Sequence, residues 1–308
     1  MKLEVRNLRK NFGEKEVLHG VSFQVESGKA LGLLGRNGAG KTTTIRILMD
    51  VFHAASGEIL LDGSRFVPAR HKIGYLPEER GLYPKRKVID QMVFLATLRG
   101  MQAREARESA KKWLARLEVA EYADKKLETL SKGNQQKVQL AATLVNNPEI
   151  VILDEPFSGL DPVNSQILKD VVNELIGEDR LVIFSSHQMS YVEEFCDHIA
   201  IINKGEVVLA GELKEIKREY GRNRLMLAAE NKDVGTLQEQ VEGQLSDLVH
   251  ISGRGKDFLI LELVQGTDRR QVMGRLAQTD IQVERFGSYQ PSLNDIFVAK
   301  VGEEETVR

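Results

Sequence analysis

A glycine-rich run, Gly35-Arg36-Asn37-Gly38-Ala39-Gly40-Lys41-Thr42-Thr43, reads GxxxxGK[ST]. The apolar run from Gly28 to Leu34 precedes it, and residues Thr43 to Leu48 follow with apolar positions at helical spacing. A buried strand, a glycine turn and a helix start are the setting in which this pattern forms a P-loop. Glycines let consecutive backbone N–H groups turn inward around a phosphate chain, and the helix N-terminus adds partial positive charge there. Lys41 can reach the β- and γ-phosphates, and the Thr42 hydroxyl can ligate Mg²⁺. The stretch therefore predicts a site for a nucleoside triphosphate.

The remaining chain is organised in the manner of an α/β protein. Leu3, Val5 and Leu8, then Val21, Phe23 and Val25, alternate with polar residues and predict two antiparallel strands around a turn at Gly13-Glu14-Lys15. Phe12, just before that turn, reads most simply as a core or edge aromatic. Strands follow at 56–62 and 71–76. Residues 87–125 predict a small helical insert rich in Arg, Lys and Glu. Ser131, ahead of the amphipathic run from Val138, reads as a helix cap.

Ile150-Val151-Ile152-Leu153-Asp154-Glu155 is a buried-strand pattern ending in two carboxylates. In a parallel sheet those acids emerge at the ligand-bearing edge. There Asp154 can hold a Mg²⁺ shell and Glu155 can polarise a water for in-line attack. Leu181 to Ser186 is a similar strand that ends in His187 at the equivalent edge. Asp161-Pro162 starts a helix, 199–202 and 206–209 form a hairpin, and a helix near 211–220 ends at Gly221.

Residues 222–301 repeat none of this. Their order of strand and helix patterns is βαββαβ, with the sixth element at 281–286 and a closing helix at 292–300, and predicts a ferredoxin-like fold. No catalytic constellation is visible in it, and a packing or dimer-brace role is the simplest reading. The tail, 302–308, carries Glu303-Glu304-Glu305 and reads as solvated.

Composition bounds the partners. With 43 basic and 45 acidic residues the chain has a net charge of −2, so no general attraction to nucleic acid is expected. The lone Cys196 cannot pair within the chain and suits a reducing compartment. No secretion signal and no apolar run of membrane-spanning length is visible, so a separate chain would have to supply any span.

Taken in order, GRNGAGKTT, LSKGNQQK, ILDEPFSGLD and SSH resemble the ATP-binding subunit of an ABC transporter over about residues 1–221. The resemblance implies a P-loop NTPase core of ABC type with an antiparallel β-subdomain and a helical insert. ATP would lie on residues 35–43, with Phe12 stacked on adenine. Thr42, Glu78 and Asp154 would serve Mg²⁺. Lys41, Glu155 as general base and His187 at the γ-phosphate would carry the chemistry. It also implies a head-to-tail dimer in which Ser131, Gly133 and Asn134 close over ATP on the partner's P-loop.

Three departures stand out: Lys132 and Asn134 replace Gly and Gln of LSGGQ, Glu78 stands where Gln is usual, and Phe12 replaces the commoner Tyr. The variants YLPEERGLYPK and LSKGNQQK, with Pro291-Ser292-Leu293-Asn294-Asp295-Ile296-Phe297, resemble the bacterial sodium-extrusion and drug-resistance exporter branch. The expected protein is a peripheral ATPase on the cytoplasmic face of the membrane. It would drive a separate permease docked on residues 77–84 (with Arg80 and neighbouring Lys85) and the helical insert. The alternative is a soluble ABC-type ATPase acting on nucleic acid or ribosomes. The chain shows no second motif set, no heptads splitting the P-loop from Asp154 and no basic face to favour it.

Overall fold

A computed structural model describes residues 1–79, 81–158, 160–230 and 232–306, with side chains through Gly302. Arg80, Gly159 and the side chains of the acidic tail lie outside the described residues. The chain divides into two compact units, Met1–Leu213 with Lys300–Arg308, and Lys214–Ala299.

The first unit opens with β1 (Lys2–Phe12), β2 (Lys15–Glu26), β3 (Ala30–Leu34) and α1 (Lys41–Leu48). Next come β4 (Ser56–Leu61), β5 (Ser64–Arg65), β6 (Ile73–Leu76), α2 (Val88–Leu98) and α3 (Ala103–Arg116). Then follow α4 (Lys132–Leu144), β7 (Ile150–Asp154), α5 (Pro162–Gly177), β8 (Leu181–Ser186) and α6 (Met189–Phe195). It closes with β9 (His198–Asn203) and β10 (Glu206–Glu212).

Two sheets result. One is antiparallel, in the order β2-β1-β4-β5. The other runs β10-β9-β3-β8-β7-β6, parallel from β9 to β6 with β10 antiparallel at its edge. Every residue of β3, β7 and β8 is buried, which is why these strands read as unbroken apolar runs rather than alternations. By contrast β1 buries Leu3, Val5 and Leu8 on one face and leaves the intervening residues partly open. Those side chains join Leu33, Ile45, Ile152 and Ile183 in one core between the sheets.

Register decides where the site forms. Leu34 pairs with Ser186 and Asp154 with Ser185, so β3, β7 and β8 end at one edge of the sheet. The loops leaving those three strands carry the P-loop, Glu155 and His187. Neighbouring strand ends in a parallel sheet bring residues far apart in sequence to one place.

The second unit contains most of α7 (Leu213–Tyr220), then β11 (Arg224–Ala229), α8 (Val234–Gln244), β12 (Val249–Arg254) and β13 (Leu259–Leu263). It continues with α9 (Arg269–Leu276), β14 (Val283–Ser288) and the start of α10 (Leu293–Thr306). Its sheet is antiparallel in the order β12-β13-β11-β14, the ferredoxin-like arrangement. Leu225, Leu227, Leu237, Leu261 and Val272 lie in its own core.

Several boundaries differ from the sequence expectation, most clearly toward the C-terminus. The last strand is shifted to Val283–Ser288 because Leu225 pairs with Ser288 and Met226 with Gly287, whereas Ile281 is buried ahead of the strand. The helix expected from 211 begins at Leu213, since Gly211 and Glu212 still pair with Ile199 and His198 in the sheet. The closing helix runs on to Thr306.

Candidate functional site

The P-loop connects β3 to α1. Gly40 is the residue before the helix, with φ +116°, and a Cβ there would stand 2.6 Å from Leu18 Cδ2. A Cβ on Gly35 would stand 2.4 Å from the Ile202 carbonyl oxygen. No side chain caps α1 and no acid occupies its first turn, so its leading N–H groups remain available to an anion. Lys41 is buried, and its ammonium donates to the carbonyls of Gly35 (2.7 Å) and Arg36 (3.4 Å). Burial lowers the Lys41 pKa from its ordinary value.

A cleft of about 430 Å³ opens over this loop. Arg36, Asn37, Gly38, Gly40 and Lys41 line one side, with Thr42 and Thr43. Glu78, Asp154 and Glu155 line the other. Gly35 and Ala39 are buried beneath it. Phe12 stands at its rim, 45% exposed, with its ring edge-on to Phe52 at 5.2 Å between centroids and Lys10 5.0 Å above it. Of the two readings, core or edge aromatic, the structure gives the edge: Phe12 is the last residue of β1, paired with Lys15 and open to solvent.

Asp154 is 2% exposed and its Oδ2 has no hydrogen-bond partner. Burial raises its pKa, and the Tyr75 phenol is raised to about 12 by its own burial, reinforced by the Asp154 charge. Three carboxylates thus face one buried ammonium where phosphates would add more negative charge. An orphaned carboxylate oxygen on Asp154, in a cleft also lined by Thr42 and Glu78, fits a hard divalent cation. Among the described residues no cluster of three His, Cys, Asp or Glu could hold a metal alone. Such an ion would need the oxygens of the nucleotide to complete its shell.

Glu155 follows β7 with φ +50°, a left-handed conformation unusual for a residue with a side chain. Its N–H donates to the Ser185 carbonyl at 2.9 Å, which fixes that turn against β8. The carboxylate is 5% exposed and held by three donors or partners from one loop. Ser186 Oγ donates to Oε2 at 3.2 Å, the His187 N–H donates to Oε1 at 2.8 Å, and His187 Nδ1 lies 2.7 Å from the same oxygen. The ring of His187 is otherwise half exposed and touches Glu155 rather than lining the cleft.

Ser131, Gly133 and Asn134 stand outside the cleft of their own chain. Ser131 caps α4, its Oγ accepting from the Asn134 N–H at 3.2 Å. A Cβ on Gly133 would meet the Asn164 amide nitrogen at 2.8 Å, and that amide is tied to Asp161 at 2.5 Å. Helix α4 also steadies two site loops. Gln139 Nε2 donates to the carbonyls of Pro77 (3.4 Å) and Glu79 (3.1 Å), on either side of Glu78. Gln136 Nε2 donates to the Pro156 carbonyl at 3.0 Å, just after Glu155.

Sequence reasoning did not single out Ser186, Gln136, Gln139 or Asn164. Ser186 was findable as the neighbour of His187 at a strand end. Gln136 lies within LSKGNQQK, though the pattern assigns it no role, whereas Gln139 and Asn164 sit on helices where nothing in the order of residues marks them.

The cleft, its P-loop and the paired acids define a nucleoside triphosphatase of ABC type, and comparison with known proteins agrees. The ABC transporter family pattern matches residues 18–158, and that of the C-terminal domain of DrrA1-3-like ATP-binding proteins matches 211–301. An uncharacterized ABC transporter ATP-binding protein, YhaQ of Bacillus subtilis, is 41% identical over 301 residues, 97% of this chain and 98% of its own. The linearmycin resistance ATP-binding protein LnrL of the same organism is 33% identical over 228 residues, 73% of each chain. A solved ATP-binding subunit of an ABC transporter superposes with a TM-score of 0.66 at 28% identity, over 79% of this chain and all of that one.

The chain belongs to the ABC transporter ATP-binding protein family. It is the ATP-binding and hydrolysing motor subunit of such a transporter.

Proposed function

We propose that two copies of this chain, head to tail, hydrolyse Mg²⁺·ATP at the cytoplasmic face of a membrane and drive a separate integral permease in the direction of export. The observation that carries this reading is the grip of Ser186 and His187 on the Glu155 carboxylate at the sheet edge that also presents the P-loop. A base held there takes the proton as water oxygen bonds to the γ-phosphorus and the bond to the β-bridging oxygen breaks, releasing ADP and phosphate. Thr42, Asp154 and Glu78 would hold Mg²⁺, which when bound neutralises charge between the phosphate oxygens. Lys41 would leave the loop carbonyls for the β- and γ-phosphates, and Phe12 would stack on the adenine.

The exposed N-terminus of α4 supports the dimer. This capped helix start has Ser131 exposed and lies outside the cleft of its own chain, which suits phosphates presented by a second copy. Supporting the permease, Tyr83 and Phe94 are 60% and 51% exposed around a 550 Å³ cleft beside Arg86 and Asp90, and Leu98, at the end of α2, is 67% exposed. Among the described residues no helix is long and apolar enough to cross a membrane, so this surface would be the attachment. The export direction rests on the DrrA-like C-terminal region and on relatives named for resistance.

The test is recovery of tagged Glu155→Gln chain from gently solubilised native membranes. Co-purification of a polytopic membrane protein, reduced by Tyr83→Glu with Phe94→Asp, is expected. Recovery only from the soluble fraction, with RNA or ribosomal proteins, would overturn the transport reading.

A further inference from the structure

We propose that the second unit carries a separate binding cleft for a phosphate-bearing anion. A cleft of about 660 Å³, the size of a small-molecule site, lies between α7, the turn that follows it and the starts of β11 and α9. Six cations line it: Lys214, Lys217, Arg218, Arg222, Arg224 and Arg269. No described carboxylate is among its lining residues. In a chain whose net charge is −2, that is a strong local concentration of one sign.

Two cations elsewhere in this unit are matched closely with acids. Arg275 pairs with Asp247 at 3.1 Å, and Arg285 pairs tightly with Asp257. Two of the cleft's cations have described ion pairs, and both are long. Glu215 is 3.7 Å from Arg218, and Glu262 is 3.8 Å from Arg224. Asp295, another acid nearby, is engaged by Ser292 at 2.7 Å and by the Tyr289 hydroxyl at 3.2 Å. Like charges gathered around a concavity repel unless an anion sits among them.

The frame holding them is ordered by backbone hydrogen bonds. The Gly221 N–H donates to the Lys217 carbonyl at 2.9 Å, and the Arg224 N–H to the Gly221 carbonyl at 3.1 Å. The Tyr289 N–H closes the turn onto the Arg224 carbonyl at 2.9 Å. A Cβ on Gly221 would stand 2.4 Å from the Tyr289 carbonyl oxygen, so the two segments are in close contact. Guanidinium forks on a fixed turn suit the paired oxygens of a phosphoryl group, and the lysines add charge without demanding geometry. Gln290 and Ser288 supply neutral donors at the same rim. The shared chemistry is a phosphoryl group of two or more charges, either on a soluble polyphosphorylated molecule or on an acidic lipid headgroup. None of this depends on the transport reading.

The experiment uses the full chain carrying Lys41→Ala, which weakens phosphate binding at the P-loop. Calorimetry with sodium tripolyphosphate at physiological salt forms one arm. Co-sedimentation with phosphatidylglycerol vesicles, against phosphatidylcholine alone, forms the other. Each is repeated with Lys214→Glu plus Arg222→Glu, and with Arg254→Glu plus Lys256→Glu, an equal charge change at exposed positions of the same unit away from the cleft. Specific binding should weaken roughly tenfold or more in the first pair and less than about twofold in the second. Lys214→Gln plus Arg222→Gln should give a smaller loss of the same sign. Loss in the tripolyphosphate arm identifies a soluble ligand, and loss in the vesicle arm alone identifies a headgroup. Binding in neither arm, or equal loss in both charge-reversed pairs, overturns the proposal.

Discussion

Glu155 and His187 meet twice: one carboxylate oxygen of Glu155 accepts from the His187 backbone N–H at 2.8 Å and lies 2.7 Å from its ring Nδ1. A buried carboxylate held at both oxygens is aimed, and aim matters more to a general base than contact with substrate before turnover. Replacing Glu155 by Gln keeps the shape and removes the base. Turnover should fall by about 10²–10⁴-fold, and ATP should then hold two chains together. Light scattering with saturating Mg²⁺·ATP should give twice the monomer mass. A monomer under those conditions would count against a composite site.

His187→Ala removes only the ring and leaves the backbone donor and Ser186 in place. Hydrolysis should fall about 10²-fold, with ATP affinity changed less than about twofold, because the residue orients the base rather than holding the phosphate chain loosely bound at rest. Steady-state rates and equilibrium dialysis separate the two effects. A large loss of affinity with an intact rate would place His187 in binding instead.

Ser131→Ala deletes the cap of α4 and should cost about 1 kcal/mol of stability, read from a urea midpoint. ATP binding to the single chain should be unchanged, since Ser131 lies outside its own cleft. Gly133→Val should leave that binding intact as well, yet push against the tethered Asn164 amide and abolish ATP-dependent dimerisation. Retained dimerisation in the valine variant would argue against this face as the contact.

Asp154 gives a pH prediction. Burial raises its folded pKa above the ordinary 3.8, so between those two values the folded state binds more protons than the unfolded one. Stability contributed by the protonated form is therefore lost as pH rises through that window, and at neutral pH the cost of the buried charge is fully present. Asp154→Asn should flatten this dependence and raise the nucleotide-free melting temperature at neutral pH by roughly 1–3 °C, while hydrolysis is lost. Mg²⁺·ATP should stabilise the parent and do so far less for the variant. An unchanged or lower melting temperature would mean that Oδ2 is satisfied in solution.

Much of the site was legible because its chemistry uses contiguous residues. The P-loop must be one glycine-rich turn, and Asp154 with Glu155 must end one buried strand, so local order records them. For Phe12 the residue type left core and edge positions open, and only its place at the end of β1 decides for the edge. Both ends of β14 and the start of α7 slipped by two residues because pairing partners, not propensity, decide where a strand stops.

By itself the sequence determined the P-loop, the two acids, the histidine at a strand end and the βαββαβ order of the second unit, each written in a short window of residues. Tertiary structure decided the rest. Register across β3, β8 and β7 set Glu155 against His187, 32 residues away. Packing of α4 brought Gln139 to the loop around Glu78 and Gln136 to the loop after Glu155. The fold of the second unit gathered Arg269 with the cations of residues 214–224 around one cleft. Backbone pairing and close packing act between segments distant in the chain, and no local pattern of residue types specifies which segments will meet.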